Sequence, residues 1–275
     1  MTGLSAHPTS TLADRALSLL AAGPVDAVAI ARDVMGLAAA PSAVAARLAV
    51  ALLGADPRVR QLDDGRWALA AGAQGSPLLS TCTFAVVDVE TTGMRAAGED
   101  RVTDIAVVLV QGDRTELVFD SLINPGCPIS PQITALTGID DAMVANAPTF
   151  DMAADAILAA LAGRVFVAHN VRFDWGFVDA ELRRNRGLAL DGPRLCTVRL
   201  SRRLVHGLTS HALHEVTAHF NLDNGARHRA AGDALVTGEI LRRLLAIAAD
   251  QGARTLDDLQ QLPAGKRGRG KASAG

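Results

Sequence analysis

Short apolar runs alternate with amphipathic segments along most of the chain, and this alternation predicts an α/β fold. Phe84 to Glu90 and Arg164 to Ala168 are apolar runs of strand length, and each predicts a buried strand. Two longer segments, about Phe173 to Arg184 and Arg229 to Ala249, have apolar residues at helical spacing.

The first 80 residues have a different pattern, which predicts a small separate domain. Three segments rich in alanine and leucine predict helices, and a hairpin with Asp64-Gly65 at its turn follows them. The segments are Thr11 to Ala22, Val25 to Gly36, Ser42 to Leu53 and the hairpin Val59 to Leu69. Three helices and a hairpin resemble a winged helix. The third helix offers only Ser42 and Arg47 as polar groups, so docking to a protein competes with DNA binding as its role.

Composition places the boundaries between these regions. The stretch Ala71 to Ser80 is rich in glycine and small residues, as linkers are. Residues 263–275 carry four basic and no acidic side chains and hold too little apolar surface to fold. We therefore expect a winged-helix-like domain at 1–75, a linker at 76–82, a larger domain at 83–250, and a short helix with a disordered basic tail at 251–275.

Two acidic residues end the first predicted strand. Side chains alternate faces along a strand, so Asp88 and Glu90 share one face, roughly 6 to 7 Å apart at their Cα atoms. Two carboxylates at the end of an apolar strand are costly to bury unless something compensates their charge. A pair of divalent cations would do so, whereas a solvated strand end is the simpler alternative.

Two further acids and a histidine lie at or just before the starts of predicted helices. Asp174 lies near the positive N-terminal end of the helix that follows the second strand. Asp233 begins the apolar stripe of the last long helix, where a lone carboxylate needs a cation. His228 lies five residues earlier, in the segment that enters this helix. Each of these residues, taken singly, also fits a structural role.

Together the segments resemble the DEDDh exonucleases, the group that contains the proofreading epsilon subunit of bacterial replicative DNA polymerase. The likeness covers about residues 82 to 250. Four stretches carry it: DVETTG at Asp88 to Gly93, ITALTGIDDAMV at Ile133 to Val144, AHNVRFD at Ala168 to Asp174, and HRAAGDA at His228 to Ala234. The resemblance implies a ribonuclease-H-like fold, in which a mixed sheet is flanked by helices.

The resemblance also implies a set of site residues. Four carboxylates would bind two Mg²⁺ or Mn²⁺ ions, which prefer oxygen ligands: Asp88, Glu90, Asp174 and Asp233. His228 would act as the general base towards water. The substrate-binding residues that we expect are Thr91, Thr92, Gly93, Asn170 and Phe173. A related subgroup uses tyrosine in place of the histidine, and this chain contains no tyrosine.

Composition limits the cellular context. The cysteines Cys82, Cys127 and Cys196 are widely separated and odd in number, which predicts reduced thiols rather than a disulfide framework or a cysteine metal site. We see no secretion signal and no apolar stretch of membrane length, and we expect no membrane partner. These features together predict a cytoplasmic protein.

The expected function is a 3′-to-5′ exonuclease that releases nucleoside monophosphates from single-stranded or frayed DNA ends, in proofreading or repair. An RNA-processing exonuclease is the first alternative, and a nucleic-acid-binding adaptor with weak activity is the second. The expected partner is the 3′ end of single-stranded DNA or RNA. Candidate protein partners are a DNA polymerase subunit and a sliding clamp, although Gln260 to Leu262 lacks the aromatic residues of a clamp-binding peptide. Six arginines are candidates for phosphate contacts: Arg183, Arg184, Arg186, Arg199, Arg202 and Arg203.

Overall fold

The structure is a computed structural model, which describes residues 3–8, 11–20, 22–56, 58–70, 76–222 and 229–262. The chain divides into two compact units. The smaller unit is His7–Gly75, and the larger unit is Ser76–Gly275 together with the first residues of the chain, Met1–Ala6. The expected linker at 76–82 thus falls inside the larger unit. No helix in the described ranges is long and apolar enough to cross a membrane.

Regular elements occupy most of the described chain. The strands are β1 (Ser5–Pro8), β2 (Val59–Gln61), β3 (Trp67–Leu69), β4 (Phe84–Thr91), β5 (Val102–Gln111), β6 (Arg114–Leu122), β7 (Val165–Ala168), β8 (Leu188–Asp191) and β9 (Arg194–Cys196). The helices are α1 (Thr11–Leu20), α2 (Ala27–Ala29), α3 (Ser42–Leu53), α4 (Pro131–Thr137), α5 (Asp141–Val144), α6 (Phe150–Leu161), α7 (Val171–Arg186), α8 (Thr197–Leu204), α9 (Leu213–His219), α10 (Ala230–Asp250) and α11 (Leu256–Gln261). A wide π-type turn, Ile30–Val34, continues α2, and a 3₁₀ turn, Leu79–Thr81, precedes β4.

Within its described residues, the smaller unit contains three helical segments and one hairpin. Strands β2 and β3 pair antiparallel, and α3 has the predicted bounds. The second predicted helix is the exception, because α2 is three residues long and continues as the π-type turn. Buried apolar side chains from every segment form its core: Ala16, Leu20, Ile30, Val34, Ala49, Leu53, Val59 and Trp67. The winged-helix interpretation of this unit stays a prediction.

The larger unit is built on a mixed five-stranded sheet with the order β6-β5-β4-β7-β9. Strand β5 pairs antiparallel with both β4 and β6, whereas β7 runs parallel to both β4 and β9. Helices α6 and α7 pack on one face of the sheet, and α8 and α10 pack on the other. This architecture confirms the predicted fold class, a mixed sheet flanked by helices.

Burial of the central strand on both faces explains its sequence. Ala85, Val87 and Val89 of β4 belong to the core beneath α6 and α7. Phe84 and Val86 belong to the opposite core, beneath α10. A strand that is covered on both sides has no polar face, so it reads as a continuous apolar run rather than as an alternating one.

The start of the chain is part of the larger unit. Leu4 is buried in the core beneath α6 and α7. Its backbone N–H donates to the carbonyl of Arg164 at 2.8 Å, and its carbonyl accepts from the N–H of Gly163 at 2.9 Å. Strand β1 follows and pairs with β8. The sequence pattern did not indicate this segment, because one leucine and a four-residue strand have no periodicity.

Candidate active site

The two acids of β4 lie on its α10 face, as alternation predicted. Asp88 is paired with Ala106 across the antiparallel ladder, and Glu90 is paired with Asp104. Both acids are half-buried. The ladder register shifts between Glu90 and Thr91, so the strand becomes irregular directly after the second acid. The acids therefore stand at the end of the regular strand, on the face that α10 covers.

Asp174 contacts β4 beyond the point where β7 stops pairing with it. Strand β7 pairs with β4 only from Phe84 to Val86. Farther along β4, the backbone N–H of Val89 donates to Oδ1 of Asp174 at 3.2 Å. Asp174 stands in the first turn of α7 and is almost fully buried. The end of β7 therefore makes room for a helix-start carboxylate beside the two strand acids.

Asp233 completes the cluster from the first turn of α10. One ligand oxygen from each of Asp88, Glu90 and Asp233 lies within 4.8 Å of the other two. Oxygens at this spacing can bind a common divalent cation, and Mg²⁺ and Mn²⁺ prefer such ligands. The structure thus brings together two segments that are about 140 residues apart in sequence.

The electrostatics of the cluster favour a cation. Burial, followed by Asp174, Asp233 and Glu90, raises the pKa of Asp88 well above its usual value. Burial and the neighbouring acids raise the pKa of Glu90 to about 7. Burial is also the main cause that raises the pKa of Asp174 to about 8. Buried carboxylates this close together repel one another when ionised, so a cation is needed for all of them to be charged at neutral pH.

His228 lies outside the described residues, so its expected role as a base stays a prediction. The described chain resumes at Arg229, the residue before α10. The Arg229 guanidinium donates from Nε to Oδ2 of Asp104 at 2.9 Å. Asp104 is fully buried beside Glu90, and sequence reasoning missed it. The signal was a single acid inside the apolar run Val102 to Val110.

The turn after Glu90 is closed by hydrogen bonds. Thr92 donates its N–H to the carbonyl of Arg101 at 2.8 Å, and its hydroxyl accepts from the Arg101 N–H at 2.9 Å. Thr91 donates its hydroxyl to the carbonyl of Gly93. A Cβ on Gly93 would lie 2.5 Å from the carboxylate of Asp100. Close contact with Asp100 thus favours glycine at position 93, and the expected substrate contacts of this turn stay a prediction.

Asn170 lies in the turn between β7 and α7, and Phe173 lies in the first turn of α7. Asn170 is exposed and has a φ of 86°, in the left-handed region that asparagine tolerates better than most residues. Phe173 is half-buried and packs on Phe177, with ring centroids 4.9 Å apart. Both residues are near Asp174 in sequence and at least partly accessible. Their expected contacts with substrate stay predictions.

A second histidine, His169, directly follows β7 and makes hydrogen bonds with two other segments. Its Nε2 lies 3.0 Å from the carbonyl of His211, and its Nδ1 lies 2.9 Å from the hydroxyl of Thr197. Nε2 must donate to the carbonyl, so in the neutral ring Nδ1 accepts from Thr197. Burial lowers the pKa of His169 to about 4, which keeps the ring neutral. His169 therefore joins the end of β7 to α8 and to the segment before α9.

Four of the six candidate phosphate-binding arginines have partners within the protein. Arg183 pairs with Asp179, and Arg186 pairs with Asp151 and Asp155. Arg184 donates to the carbonyls of Ala96 and Gly98, and Arg203 donates to the carbonyl of Leu259. These contacts fix α7 and α8 against neighbouring segments. Arg199 and Arg202 of α8 remain the stronger candidates for phosphate contacts.

The part of the chain that carries these carboxylates is similar to known exonucleases. The sequence model of the family described as Exonuclease matches residues 85–241. This range includes β4 from its second residue onward, all of α7 and the first turn of α10, and therefore all four carboxylates. The smaller unit lies outside it.

Two curated relatives show how much of the chain is shared. The 3′-5′ exonuclease DinG of Bacillus subtilis is 37% identical over 179 residues, which cover 65% of this chain and 19% of that protein. DNA polymerase III subunit epsilon of Aquifex aeolicus is 34% identical over 163 residues, which cover 59% of this chain and 80% of that protein. The chain thus spans most of the Aquifex subunit but a minor part of DinG.

Solved structures show the same fold. Exonuclease X, determined in complex with 5′ overhanging duplex DNA, aligns with a TM-score of 0.51 and 26% identity, covering 64% of this chain and 99% of that one. Exonuclease I of E. coli, in complex with a dT13 oligonucleotide, aligns with a TM-score of 0.52 and 18% identity over 62% of this chain and 43% of that one. The likeness to Exonuclease I concerns the fold alone.

Proposed function

The chain belongs to the exonuclease family, and from that premise we propose that it is a metal-dependent 3′-to-5′ exonuclease. Its substrate in this proposal is a single-stranded or frayed DNA end, from which it releases nucleoside monophosphates in proofreading or repair. The observation that carries the proposal is the convergence of Asp88, Glu90 and Asp233 within 4.8 Å. An adaptor with weak activity, the second alternative, would gain nothing from carboxylates that repel one another at this spacing.

The carboxylates suit divalent cations. Four acids offer hard oxygen ligands. The pKa values of Asp88, Glu90 and Asp174 are raised, because the protein itself does not compensate the negative charge of their ionised forms. In our proposal Asp88, Glu90, Asp174 and Asp233 hold two such cations. Bound divalent cations activate a water molecule and stabilise charge on the departing 3′ oxygen.

The remaining residues position the substrate and move a proton. We assign the general base to His228, because an unperturbed imidazole titrates near neutrality and, when neutral, can accept a proton from water. The turn Thr91–Gly93, with Asn170 and Phe173, lies at the ends of the strand and helix that carry the acids, and we assign it to the terminal nucleotide. Arg199 and Arg202 are assigned to the phosphates that follow.

The names of the relatives support the substrate and the direction. DinG of Bacillus subtilis is named a 3′-5′ exonuclease, the Aquifex relative is a DNA polymerase III subunit, and Exonuclease X was solved with DNA. We therefore prefer DNA to RNA. A DNA polymerase subunit is the proposed protein partner, because the chain matches most of the Aquifex subunit.

A single digestion series tests these proposals. Single-stranded DNA, a duplex with a mismatched 3′ end and single-stranded RNA are labelled at the 5′ end and incubated with Mg²⁺, with Mn²⁺ or with a chelator. The proposal predicts a ladder of shortening labelled DNA that requires metal. Immediate release of a labelled mononucleotide would show the opposite direction, and faster loss of RNA would favour the RNA-processing alternative.

A further inference from the structure

A fifth acid, Asp104, joins the sheet to the helix that carries Asp233. Its partner in the β4–β5 ladder is Glu90, so the two side chains leave the sheet on the same face. Asp104 is fully buried. Its Oδ2 accepts from Nε of Arg229 at 2.9 Å and from the backbone N–H of Ala230 at 3.3 Å. One carboxylate oxygen therefore holds both residues at the start of α10.

The start of α10 needs this contact. The first amides of a helix have no partner within the helix, and a side chain at the preceding position commonly accepts from them. The residue at that position is Arg229, whose side chain makes no capping hydrogen bond. An arginine has donors only. Asp104 supplies the missing acceptor from β5, and its negative charge also suits the positive end of the helix.

The position of Asp104 links this contact to the active site. Ala230 precedes Asp233 by three residues, which is less than one helical turn. A shift of Ala230 away from β5 would move Asp233 away from Asp88 and Glu90. The contact brings a further negative charge close to the cluster, since Asp104 also raises the pKa of both Asp88 and Glu90. A residue that served only to fill the core would not carry that charge.

We propose that Asp104 is a positioning residue, which fixes the first turn of α10 on β5 through Arg229 and Ala230. It thereby sets the distance from Asp233 to Asp88 and Glu90. The inference rests on the proposed function, since the distance matters only if these acids hold a divalent cation. Asp104 itself does not touch the substrate in this account.

The most informative variant is Arg229→Gln, because two explanations predict opposite results. Arg229 is a cation close to the acids, so if only charge mattered, its removal would strengthen binding of a divalent cation. If the ion pair positions Asp233, its removal weakens that binding, by about 10- to 100-fold as for other partners of metal ligands. Binding of Mn²⁺ alone, measured by calorimetry on the full chain without nucleic acid, distinguishes the two.

Three further variants complete the test. Asp104→Asn removes the charge but keeps an acceptor, and we expect it to weaken Mn²⁺ binding as well. The double variant should lose no more affinity than the stronger single variant, because both changes break one contact. Arg229→Lys keeps the charge and loses the planar guanidinium, so its affinity should lie between those of the parent and Arg229→Gln. Arg229 is 40% exposed at its side chain, so we expect its variants to fold.

The chain offers a control ion pair farther along α10. Arg242 of that helix pairs with Asp113, in the turn between β5 and β6, at 3.3 Å, and with Glu239 of the same helix at 2.9 Å. Arg242 lies nine residues after Asp233, or about 13 Å along the helix axis. Asp113→Asn and Arg242→Gln remove the same charges as the test variants. They should leave the Mn²⁺ affinity within about twofold of the parent.

Three results would overturn the proposal. The first is unchanged or tighter Mn²⁺ binding by Arg229→Gln. The second is an equal loss of affinity in the control pair. The third is a raised KM for DNA in Arg229→Gln with unchanged metal affinity, since that would make Arg229 a phosphate contact. Failure of the parent protein to degrade DNA or RNA while it binds Mn²⁺ would contradict the proposed function instead, and the metal titrations would still decide the role of Asp104.

Discussion

The carboxylate of Asp174 accepts a hydrogen bond from the backbone N–H of Val89, the residue between the two acids of β4. This contact joins the first turn of α7 to the central strand where β7 no longer pairs with it. It satisfies a buried amide that would otherwise lack a partner. The same carboxylate thus has a structural role in the sheet and a proposed role in the site.

Asp174→Asn separates these two roles. The amide oxygen of asparagine can still accept from Val89, whereas the negative charge is lost. We expect the metal-free protein to unfold at an equal or higher temperature, because repulsion with Asp88 is relieved. Turnover of DNA should fall about 100-fold or more. Thermal unfolding in a chelator and a rate assay with Mg²⁺ check the two parts, and a parent-like rate would remove Asp174 from the metal site.

The raised pKa values predict how the stability of the metal-free protein depends on pH. Glu90 has a pKa of about 7 and Asp174 a pKa of about 8 in the folded state, against about 4 in an unfolded chain. The folded protein therefore binds more protons between these values, and its stability should decrease as pH rises from about 4 to about 8. Mg²⁺ should restore most stability at the upper end of this range.

Differential scanning calorimetry across this pH range, with a chelator and with Mg²⁺, measures that dependence. Asp174→Asn serves as the control, since loss of one titrating carboxylate should make the decrease in Tm shallower. A metal-free Tm that rises with pH over the same range would show that these carboxylates are not buried as the structure places them.

His228→Ala tests the proposed general base. An imidazole accepts a proton only when it is neutral, so activity of the parent should fall on the acid side of its pKa. We expect the variant to lose most activity while it still binds Mn²⁺, because the carboxylates remain. A profile of rate against pH for both proteins checks this. An acid limb that persists unchanged in the variant would assign the base to another residue.

The sequence was informative where local patterns are strong. The strand that carries Asp88 and Glu90 was predicted within a few residues, and so were the helices α7 and α10, because long periodic segments and apolar runs are local signals. The catalytic roles of His228 and Asp233 were inferred from resemblance. Among them, Asp233 is placed beside the strand acids by the structure.

Long-range contacts account for what the sequence did not predict. Asp104 is a single acid in an apolar strand, and its importance depends on Arg229, 125 residues away. Leu4 belongs to the larger unit through hydrogen bonds to residues 163 and 164. The arginines of α7 looked like phosphate ligands, yet Arg184 and Arg186 bind groups within the protein. No local pattern specifies such partners.

Leu4→Ala tests whether the start of the chain stabilises the larger unit. The buried leucine packs beneath α6 and α7, so its truncation should lower the free energy of unfolding by about 2 to 5 kcal/mol. Leu117 of β6 is 39% exposed, and Leu117→Ala should cost much less. Chemical denaturation of both variants measures the difference, and the rate per folded molecule should be unchanged. Equal losses in the two variants would contradict the assignment.

Replacement of Asp88 by asparagine tests the central claim most directly, because Asp88 interacts with every other acid of the cluster. The measurement is the rate at which 5′-labelled single-stranded DNA is shortened at saturating Mg²⁺, with folding confirmed by thermal unfolding. The account predicts a folded Asp88→Asn protein whose rate is reduced by orders of magnitude, because a ligand for the proposed cations is lost. A folded variant within about tenfold of the parent rate would contradict the metal-dependent mechanism.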